Sequence, residues 1–433
     1  MFERDPARRT AQSFQRTLEA SRPVTRAPLG PEWDSEVNDT PAPLFKPDRS
    51  QYPQKKPDGS LDIDLSSGKY LKLWQGPQHP GITGNMAIEL TVCGDEVVDA
   101  KTHVGYLHRG FEKLMERRTF MQCFPIVCRI CVPEPDFNEY CYAAAVEELA
   151  GLEVPELAHW IRTLILEMGR INSYMMYLGG QAGAFGLGVI GQWTTYVRDL
   201  MLDRFEELTG ARIYHMFILP GGVRDSLPDG FAKRMEETLQ EFESTLADVE
   251  RVMFHNAVFK KRSVGVGVIE PGWIEHYGIT GPNARAAGMP NDVRKDHPYL
   301  VYPELDFDII TGKDSDIYTR ADVRRRDALL SIDLIRQMLA KMPKSGNVMS
   351  NLPNVLHWKI PRGETYVRGE CSRGEYGYYL VTDGSGYPRR VNVRGPSYTH
   401  SIALFERMVI NANISDVAAL LVSLHTYPPE IER

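Results

Sequence analysis

Apolar and polar residues alternate along two short parts of this chain. Apolar side chains at positions 86, 88, 90 and 92 alternate with small or polar ones, and Gly94 and Asp95 separate this run from a second one at 97–104. Two such runs joined by a tight turn predict a β-hairpin. The strand-like runs 378–381 and 390–393, with the turn sequence DGSG between them, predict a second hairpin near the end of the chain.

Helical spacing dominates the rest of the chain. Apolar residues three or four positions apart run through 160–175, 235–253 and 332–342, and each run predicts a helix with one buried face. The sequence therefore predicts an α+β fold dominated by helices, with small antiparallel β-sheets at its flanks. The uncharged stretch at 171–197 contains six glycines. It is typical of a buried helix followed by a glycine-rich turn, and not of a transmembrane segment.

The chain divides into an arm and a folded domain. Residues 1–60 are rich in arginine, serine and proline, which predicts an extended or partner-bound arm, with a disordered tail as the alternative. Residues 61–433 form the predicted folded domain. The start of the chain, MFERDPARR, has no apolar signal core, and any association with a membrane is expected to come through partners.

Composition narrows the class of protein further. The chain has 433 residues, 42% of them hydrophobic and 25% charged, which excludes a disordered or fibrous protein. A net charge of -7 argues against a nucleic-acid binder. Six cysteines are too few for a disulfide scaffold, so we expect a reducing compartment and ask whether the close group Cys123, Cys128 and Cys131 has a metal or redox role.

Several long strings carry a family resemblance. They include GPQHPGITGN at 76–85, VGYLHRGFEKLMERRTF at 104–120, GARIYHMFILPGGVRDSLP at 210–228, ITGPNARAAGMPNDVRKDHPY at 279–299 and SRGEYGYYLVTDGSGYPRRVNVRGPSY at 372–398. In this order and spacing they resemble the D-type, or 49 kDa, subunit of NADH-quinone oxidoreductase (respiratory complex I). The resemblance covers residues 70–433. That family shares its central helical bundle with the large subunit of [NiFe] hydrogenases.

The resemblance implies a place in a larger assembly. The 49 kDa subunit lies where the peripheral arm meets the membrane arm, on the cytoplasmic or matrix face. Its partners are a small B-like subunit that holds the terminal [4Fe-4S] cluster, a C-like protein and an H-like protein of the membrane arm. A quinone is reduced between the 49 kDa and small subunits, and electron transfer is coupled to ion translocation. The resemblance further implies that this chain binds no cofactor itself and that NADH, where it is the donor, is oxidised elsewhere.

The resemblance also assigns site residues. His79 matches a histidine in the quinone-pocket hairpin, and Thr83 stands where the family has a quinone-bonding histidine. Arg129 matches an arginine that faces the partner cluster, where a guanidinium raises the cluster potential. Val132 replaces a quinone-bonding tyrosine. Two further family positions, an aspartate and a cluster-side histidine, align with Ala184 and Tyr174.

Quinone reduction consumes two protons, and Thr83, Val132 and Ala184 cannot supply them at neutral pH. Four residues are candidates to replace the missing proton donors: His79, Glu134, Asp136 and His425. Each of them also has a purely structural interpretation. For His79, this is a turn histidine that bonds the backbone.

A rival hypothesis is that the chain holds a [NiFe] site, and the positions of its cysteines test this. Such a site takes four thiolates from an early R-x-C-x-x-C and a late D-P-C-x-x-C motif. Arg129 and Cys131 match the start of the early motif, but Glu134 replaces its second cysteine, and the late motif, aligned with 416–421, contains no cysteine. The sequence thus excludes a hydrogenase site. Cys128 and Cys131 form a C-x-x-C that could be a redox pair, half a metal site or two inert buried thiols.

The sequence therefore predicts a subunit of a complex I-like oxidoreductase whose pocket contains His79, Thr83 and Cys131, with Arg129 facing the partner cluster. Two alternatives stay open: a pocket that serves another acceptor, such as a phenazine or a sulfur compound, and a structural, coupling role without a redox substrate. The run Arg324, Arg325 and Arg326 is expected on a solvated helix face or at a contact with another subunit.

Overall fold

Two three-stranded antiparallel sheets flank a bundle of long helices. The structure is a computed structural model that describes residues 53–57, 61–78, 86–355 and 357–433. The arrangement confirms the predicted α+β fold dominated by helices. The predicted arm lies almost wholly outside the described residues. Within the described part of the chain, no helix combines the length and the apolarity needed to cross a membrane.

The strands are β1 (Leu71–Gln75), β2 (Ala87–Cys93), β3 (Glu96–His103), β4 (Ile218–Leu219), β5 (Gly222–Val223), β6 (Gly363–Cys371), β7 (Gly374–Thr382) and β8 (Arg390–Arg394). The helices that start before residue 260 are α1 (Phe111–Met115), α2 (Phe124–Val127), α3 (Pro135–Ala150), α4 (Glu156–Ala184), α5 (Gly188–Thr209), α6 (Phe231–Val249) and α7 (Ala257–Ser263). The later helices are α8 (Pro271–Tyr277), α9 (Gly281–Ala286), α10 (Val293–Asp296), α11 (Ile317–Lys341), α12 (Ser397–Thr399), α13 (Phe405–Val409) and α14 (Val417–Ser423). Single π-helical turns follow α6 at Glu250–Phe254 and α12 at His400–Leu404.

Both predicted hairpins are confirmed. Strands β2 and β3 pair from Ala87 opposite His103 to Cys93 opposite Glu96, and β7 and β8 pair over Gly377–Val381 and Arg390–Arg394. Each sheet has one more strand than predicted, β1 in the first and β6 in the second. Strand β1 lies at a sheet edge and has no fully buried residue, so it lacks the alternation that marks a half-buried strand.

The glycine-rich stretch is helical, which corrects the prediction of a turn region. Helix α4 continues to Ala184, and only residues 185–187 separate it from α5. The two helices pack closely where glycines face each other. A Cβ on Gly179 would lie 2.4 Å from Thr194 Oγ1 and 3.2 Å from the Cα of Gly191. These glycines therefore serve close helix packing, and their cost in helix propensity is offset by that contact.

A network of buried charges lies in the helical core. Arg285 donates to Asp292 and Asp327, and Arg294 donates to Asp292 at 2.8 Å. Glu167 accepts from Arg170 at 3.1 Å and Arg294 at 3.3 Å. All of these side chains are at most 1% exposed. Because an unpaired buried charge costs several kcal/mol, the network fixes how α4, α9, α10 and α11 pack on one another.

The three consecutive arginines of α11 do not share one solvated face, contrary to expectation. Arg324 is fully buried and donates to Asn283 Oδ1 at 2.8 Å. Arg325 pairs with Glu250 and Asp322, and Arg326 pairs with Asp322. Successive helical residues point about 100° apart, so a run of three reaches both the core and the surface.

We expect Asp292→Asn to destabilise the fold by about 3–5 kcal/mol, because two buried guanidiniums lose the carboxylate that they share. The matched control is Asp248→Asn, whose half-exposed side chain pairs with Arg251 on the surface. This control should cost less than about 1 kcal/mol. Denaturant unfolding measures both changes in the free energy of unfolding, and equal losses would contradict the assigned role of the network.

The same network makes stability depend on pH. Burial alone would raise the pKa of Asp292, but the Arg294 and Arg285 guanidiniums outweigh burial and lower it. A carboxyl with a lowered folded-state pKa stabilises the fold above its ordinary pKa, and this contribution is lost as the pH falls below that value. Unfolding measured from neutral to acid pH should therefore show a steeper acid loss in the wild type than in Asp292→Asn.

Candidate functional site

Arg129 carries a positive charge that no carboxylate of the described chain neutralises. Its guanidinium Nη1 donates to the Pro125 carbonyl at 2.7 Å and to Cys128 Sγ at 3.3 Å. Its guanidinium carbon lies 5.2 Å from the centre of the Tyr214 ring. Because Arg129 is half-buried and its contacts are neutral, the structure removes the interpretation of Arg129 as a buried arginine–carboxylate pair.

A second arginine extends this positive surface. The exposed Arg109 donates to the Arg129 carbonyl at 3.0 Å and packs over Phe111. Like Arg129, it has no carboxylate within salt-bridge distance among residues 53–57, 61–78, 86–355 and 357–433. Burial raises the pKa of Tyr214, although Arg109 and Arg129 oppose that shift. Arg109, Arg129 and Tyr214 together form what we call the cationic face.

Behind the cationic face lies a closed cluster around Arg373, at the turn between β6 and β7. Arg373 Nη1 pairs with Glu134 at 2.9 Å, and its Nε pairs with Glu430 at 3.2 Å. Its Nη2 donates to Cys131 Sγ at 2.8 Å. The ring of Tyr427 lies 6.0 Å from the guanidinium carbon. Arg373 thus joins the segment before α3, the β6–β7 turn and the end of the chain.

The Arg373 cluster shows that no [NiFe] site fits here. Cys131 and Glu134 lie near Tyr427 and Glu430 around Arg373. The late segment that meets the early one is therefore 427–430 and not 416–421, which corrects the expected match. Asp416 instead pairs with Arg262 nearer the surface. One thiol, a tyrosine, two carboxylates and a central guanidinium cannot replace four thiolates. The positive charge of Arg373 further disfavours any cation at this point.

The cysteines of the site are buried thiols. All six cysteines of the chain are free. Burial raises the pKa of Cys128 and of Cys131 to about 12, against the opposing effects of Arg129 and Arg373. Thiolates are the reactive form, so both thiols are poor nucleophiles in the folded chain. Of the three interpretations of the C-x-x-C, the inert one fits this environment best.

The candidate proton donors that the structure describes have different surroundings. Glu134 accepts hydrogen bonds from Ser372 N at 2.9 Å and Ser372 Oγ at 2.5 Å, in addition to its pair with Arg373, so donors occupy both of its oxygens. Burial and the neighbouring arginines lower the pKa of His425 well below its usual value, so it stays neutral. Asp136 contacts the imidazole of His215 at 2.8 Å.

The remaining predicted positions fall into two groups. His79 and Thr83 lie outside the described residues, so their predicted places in the pocket stay predictions. Tyr174 is fully buried and donates to Asp327 at 2.9 Å, which makes it part of the core. Sequence reasoning missed Arg373, Tyr214 and His215. The two conspicuous strings that contain them, at 372–398 and 210–228, were the only sequence signal for these residues.

Known proteins resemble this chain over most of its length. The family model described as "Respiratory-chain NADH dehydrogenase, 49 Kd subunit" matches residues 186–358 and 354–433. The D subunit of the NADH-quinone oxidoreductase of Thermosipho melanesiensis is 43% identical over 364 residues, which are 84% of this chain and 99% of that protein. The chain belongs to the family of the 49 kDa, or D-type, subunit of complex I.

Members of this family with other names are also similar. The D subunit of the F(420)H(2) dehydrogenase of Methanosarcina mazei is 35% identical over 83% of this chain and 96% of its own length. A chain in the structure of an archaeal membrane-bound sulfane sulfur reductase is 41% identical, with a TM-score of 0.82, over 84% of this chain and 99% of that one. This neighbour confirms the fold that the resemblance predicted.

We expect Cys128 and Cys131 to resist alkylation. A thiol with a pKa of about 12 is ionised in about one molecule in ten thousand at pH 8. Iodoacetamide should therefore modify the half-buried Cys93 first, and peptide mass spectrometry should find Cys128 and Cys131 unmodified. Denatured protein, in which all six thiols react, is the control. Modification of Cys131 as fast as Cys93 in folded protein would contradict the assigned burial.

Proposed function

We propose that this chain is the D-like component of a membrane-associated, complex I-like oxidoreductase. Its cationic face lies against the [4Fe-4S] cluster of a small B-like partner, and the electron acceptor is reduced between the two. C-like and H-like partners link it to the membrane arm, on the cytoplasmic or matrix side. The observation that carries this proposal is the guanidinium of Arg129, whose positive charge no carboxylate of the described residues balances.

The physical argument concerns charge. Arg129 and Arg109 each keep a full positive charge, and their side chains lie at the surface of this chain. Reduction makes an iron–sulfur cluster more negative, so a nearby guanidinium stabilises the reduced form. An arginine already neutralised by a carboxylate would have little such effect. Complex I-like ion translocation then follows from the partners, and we expect the isolated chain, which holds no electron source, to be inactive.

A quinone is the first candidate acceptor, and a sulfur compound is the second. The second is favoured by one feature of the site. The half-buried Val132, which follows Cys131 at what we call the rim of the site, has no group that can bond a quinone carbonyl. The half-buried valine and the cationic face together suit a polarisable anion at least as well as a quinone headgroup. A relative described as a sulfane sulfur reductase complex supports considering this acceptor class.

We expect Arg129→Ala to lower the reduction potential of the neighbouring cluster by tens of millivolts. A unit charge ~10 Å away, at an effective dielectric constant of ~20, supplies an interaction of about 1–2 kcal/mol. Redox titration of the purified complex by electron paramagnetic resonance measures the shift. Arg129→Lys, which keeps the charge, is the matched control and should stay near the wild-type potential. An unchanged potential in Arg129→Ala would remove the cluster-facing role.

Single-turnover reoxidation tests the proposed function and separates the two acceptors. The complex is isolated through a tag on this chain, its clusters are reduced chemically, and excess reductant is removed. We expect decylubiquinone to reoxidise the clusters in a reaction that quinone-site inhibitors block. Reoxidation by inorganic polysulfide alone, with release of sulfide, would establish the second candidate. Intact reduced clusters that neither compound reoxidises would overturn the proposed function.

A further inference from the structure

Asp136 and His215 form a buried pair directly behind Val132. Asp136 lies in the first turn of α3, and His215 follows the end of α5; each side chain is 2% exposed. His215 Nδ1 is 2.8 Å from Asp136 Oδ1, and its ring stacks on Phe205 with 4.3 Å between the ring centres. Neither residue contributes to the Arg373 cluster, and the function described above makes no use of them.

The contacts of the imidazole ring define its proton content. Nδ1 faces the Asp136 carboxylate, and Nε2 lies 3.2 Å from the Arg212 carbonyl. Both neighbours are hydrogen-bond acceptors, so two hydrogen bonds form only if both ring nitrogens carry hydrogen. A neutral ring would leave one nitrogen lone pair against an acceptor. The site is therefore built to hold one proton more than a neutral imidazole beside a carboxylate.

The backbone around His215 is strained and firmly held. Tyr214 and Met216, on either side of it, have φ values of 60° and 46°, a region that non-glycine residues seldom adopt. The buried Glu139 accepts the backbone N–H groups of Met216, Phe217 and Ile218 at 2.7, 2.9 and 3.1 Å. Strain of this kind persists where the surroundings impose it, and here it sets His215 against Asp136 while Tyr214 faces Arg129.

A small cavity connects the pair with the rim of the site. Its volume is about 10 Å³, close to that needed by one water molecule, and it is lined in part by Val132, Asp136, Asn172, Arg198 and His215. Three buried polar atoms of these residues make no hydrogen bond with any described residue: Asp136 Oδ2, Asn172 Oδ1 and Arg198 Nε. Residues with three unpartnered polar atoms therefore line a space about the size of one water molecule.

We propose that the Asp136–His215 pair is the proton donor of the acceptor site and delivers its proton past Val132 through the cavity. This inference rests on the proposed function. It supplies the general acid that Thr83 and Val132 cannot provide. The cavity also borders Arg198 of α5 and Arg212, which follows α5. Both side chains are half-buried, so the pair can be recharged from the solvent side.

The proton transfer balances with the electrons that the partner supplies. Two electrons from the partner cluster and two protons convert a quinone to a quinol, or cleave one sulfur–sulfur bond of a polysulfide. For one of these protons, the Nδ1–H bond of His215 breaks as Asp136 Oδ1 takes the proton. The carboxyl group of Asp136 then rotates so that this O–H faces the cavity and releases the same proton there, which returns Asp136 to a carboxylate. His215 is left neutral and regains a proton from solvent. Asp136 and His215 change only in protonation.

Other charged groups around the ring set the pH at which it acts. Burial disfavours the charged imidazole, but the Asp136 charge and hydrogen bond outweigh burial and raise the pKa of His215. Burial and the Asp136 charge raise the pKa of Glu139. The remaining titratable or charged groups on the packed elements are Cys128, Arg198, Arg212 and the carboxylates Asp199, Asp203 and Glu206 that pair with Arg212. The raised pKa keeps the donor protonated to a higher pH than a free imidazole, and the donor loses its proton as the pH rises further.

The test is single-turnover reoxidation of the chemically reduced complex by decylubiquinone, measured against pH. We expect His215→Gln to lower the limiting rate about 100-fold, within the range usual for loss of a general acid, with an unchanged half-saturating quinone concentration. It should also lose the fall in rate at alkaline pH that we expect of the wild type. Asp136→Asn cannot take the proton from His215 and should lower the limiting rate to a similar extent. The exposed His276→Gln is the matched control and should behave as the wild type.

Ferricyanide, which takes electrons without protons, should oxidise the clusters of every variant at the wild-type rate. A wild-type rate and pH profile in both His215→Gln and Asp136→Asn would overturn the inference and leave the proposed function standing. If the wild-type clusters are reoxidised only by polysulfide, the same variants are compared with polysulfide. If neither compound reoxidises the wild-type clusters, the proposed function fails, and the inference fails with it.

If His215→Gln and Asp136→Asn do not assemble into the complex, a third variant still tests the proposed route. Asn172→Leu removes a buried carbonyl oxygen that makes no hydrogen bond with any described residue, so it should fold and assemble normally. It leaves the Asp136–His215 contact intact but removes one of the three polar atoms of the cavity. We expect a several-fold slower limiting rate with the alkaline fall in place. An unchanged rate in Asn172→Leu would overturn the proposed route.

Discussion

The guanidinium of Arg373 is a single buried positive charge on which the rest of the site depends. Glu134 and Glu430 pair with it from two distant parts of the chain, and Cys131 accepts its third contact. Removing a charge from water costs several kcal/mol unless its partners are in place. The segment before α3, the β6–β7 turn and the end of the chain therefore cannot separate without exposing or orphaning this charge, and their mutual position is fixed.

The interior of the site and its outer face differ in whether their arginines pair with carboxylates. Inside, Arg373 is balanced by two carboxylates, and three core arginines are balanced by Glu167, Asp292 and Asp327. Outside, Arg129 and Arg109 meet only carbonyls, a sulfur and aromatic rings. These buried ion pairs hold distant segments of the scaffold together, and the unpaired arginines of the outer face give a surface suited to a negative partner. The Asp136–His215 pair belongs to neither group of arginines, and in the route that we propose it carries a mobile proton.

Members of one family can share this scaffold and still carry different names for their reactions. Relatives named as NADH-quinone oxidoreductase and F(420)H(2) dehydrogenase subunits align over more than four-fifths of this chain, and so does a chain of a sulfane sulfur reductase complex. The scaffold is therefore compatible with more than one redox partner. In this chain the side chain of Val132 has no hydrogen-bonding group, and we propose that His215 supplies a proton from behind it.

The sequence alone determined the fold class, both hairpins, the long helices and the family, because each of these depends on local periodicity or on contiguous strings. It did not reveal β1, whose residues are too exposed to alternate, nor did it show that the glycines at 179 and 191 belong to two tightly packed helices. The sequence also did not show that Arg324 is buried, because a run of like charges does not reveal which of its members faces the core. The contacts of Cys131, Glu134 and Asp136 with Arg373 and His215 span between 79 and 242 residues of the chain. Only the tertiary structure could bring Arg373, Glu430 and His215 to them, because a contact across that separation leaves no trace in the local pattern of the chain.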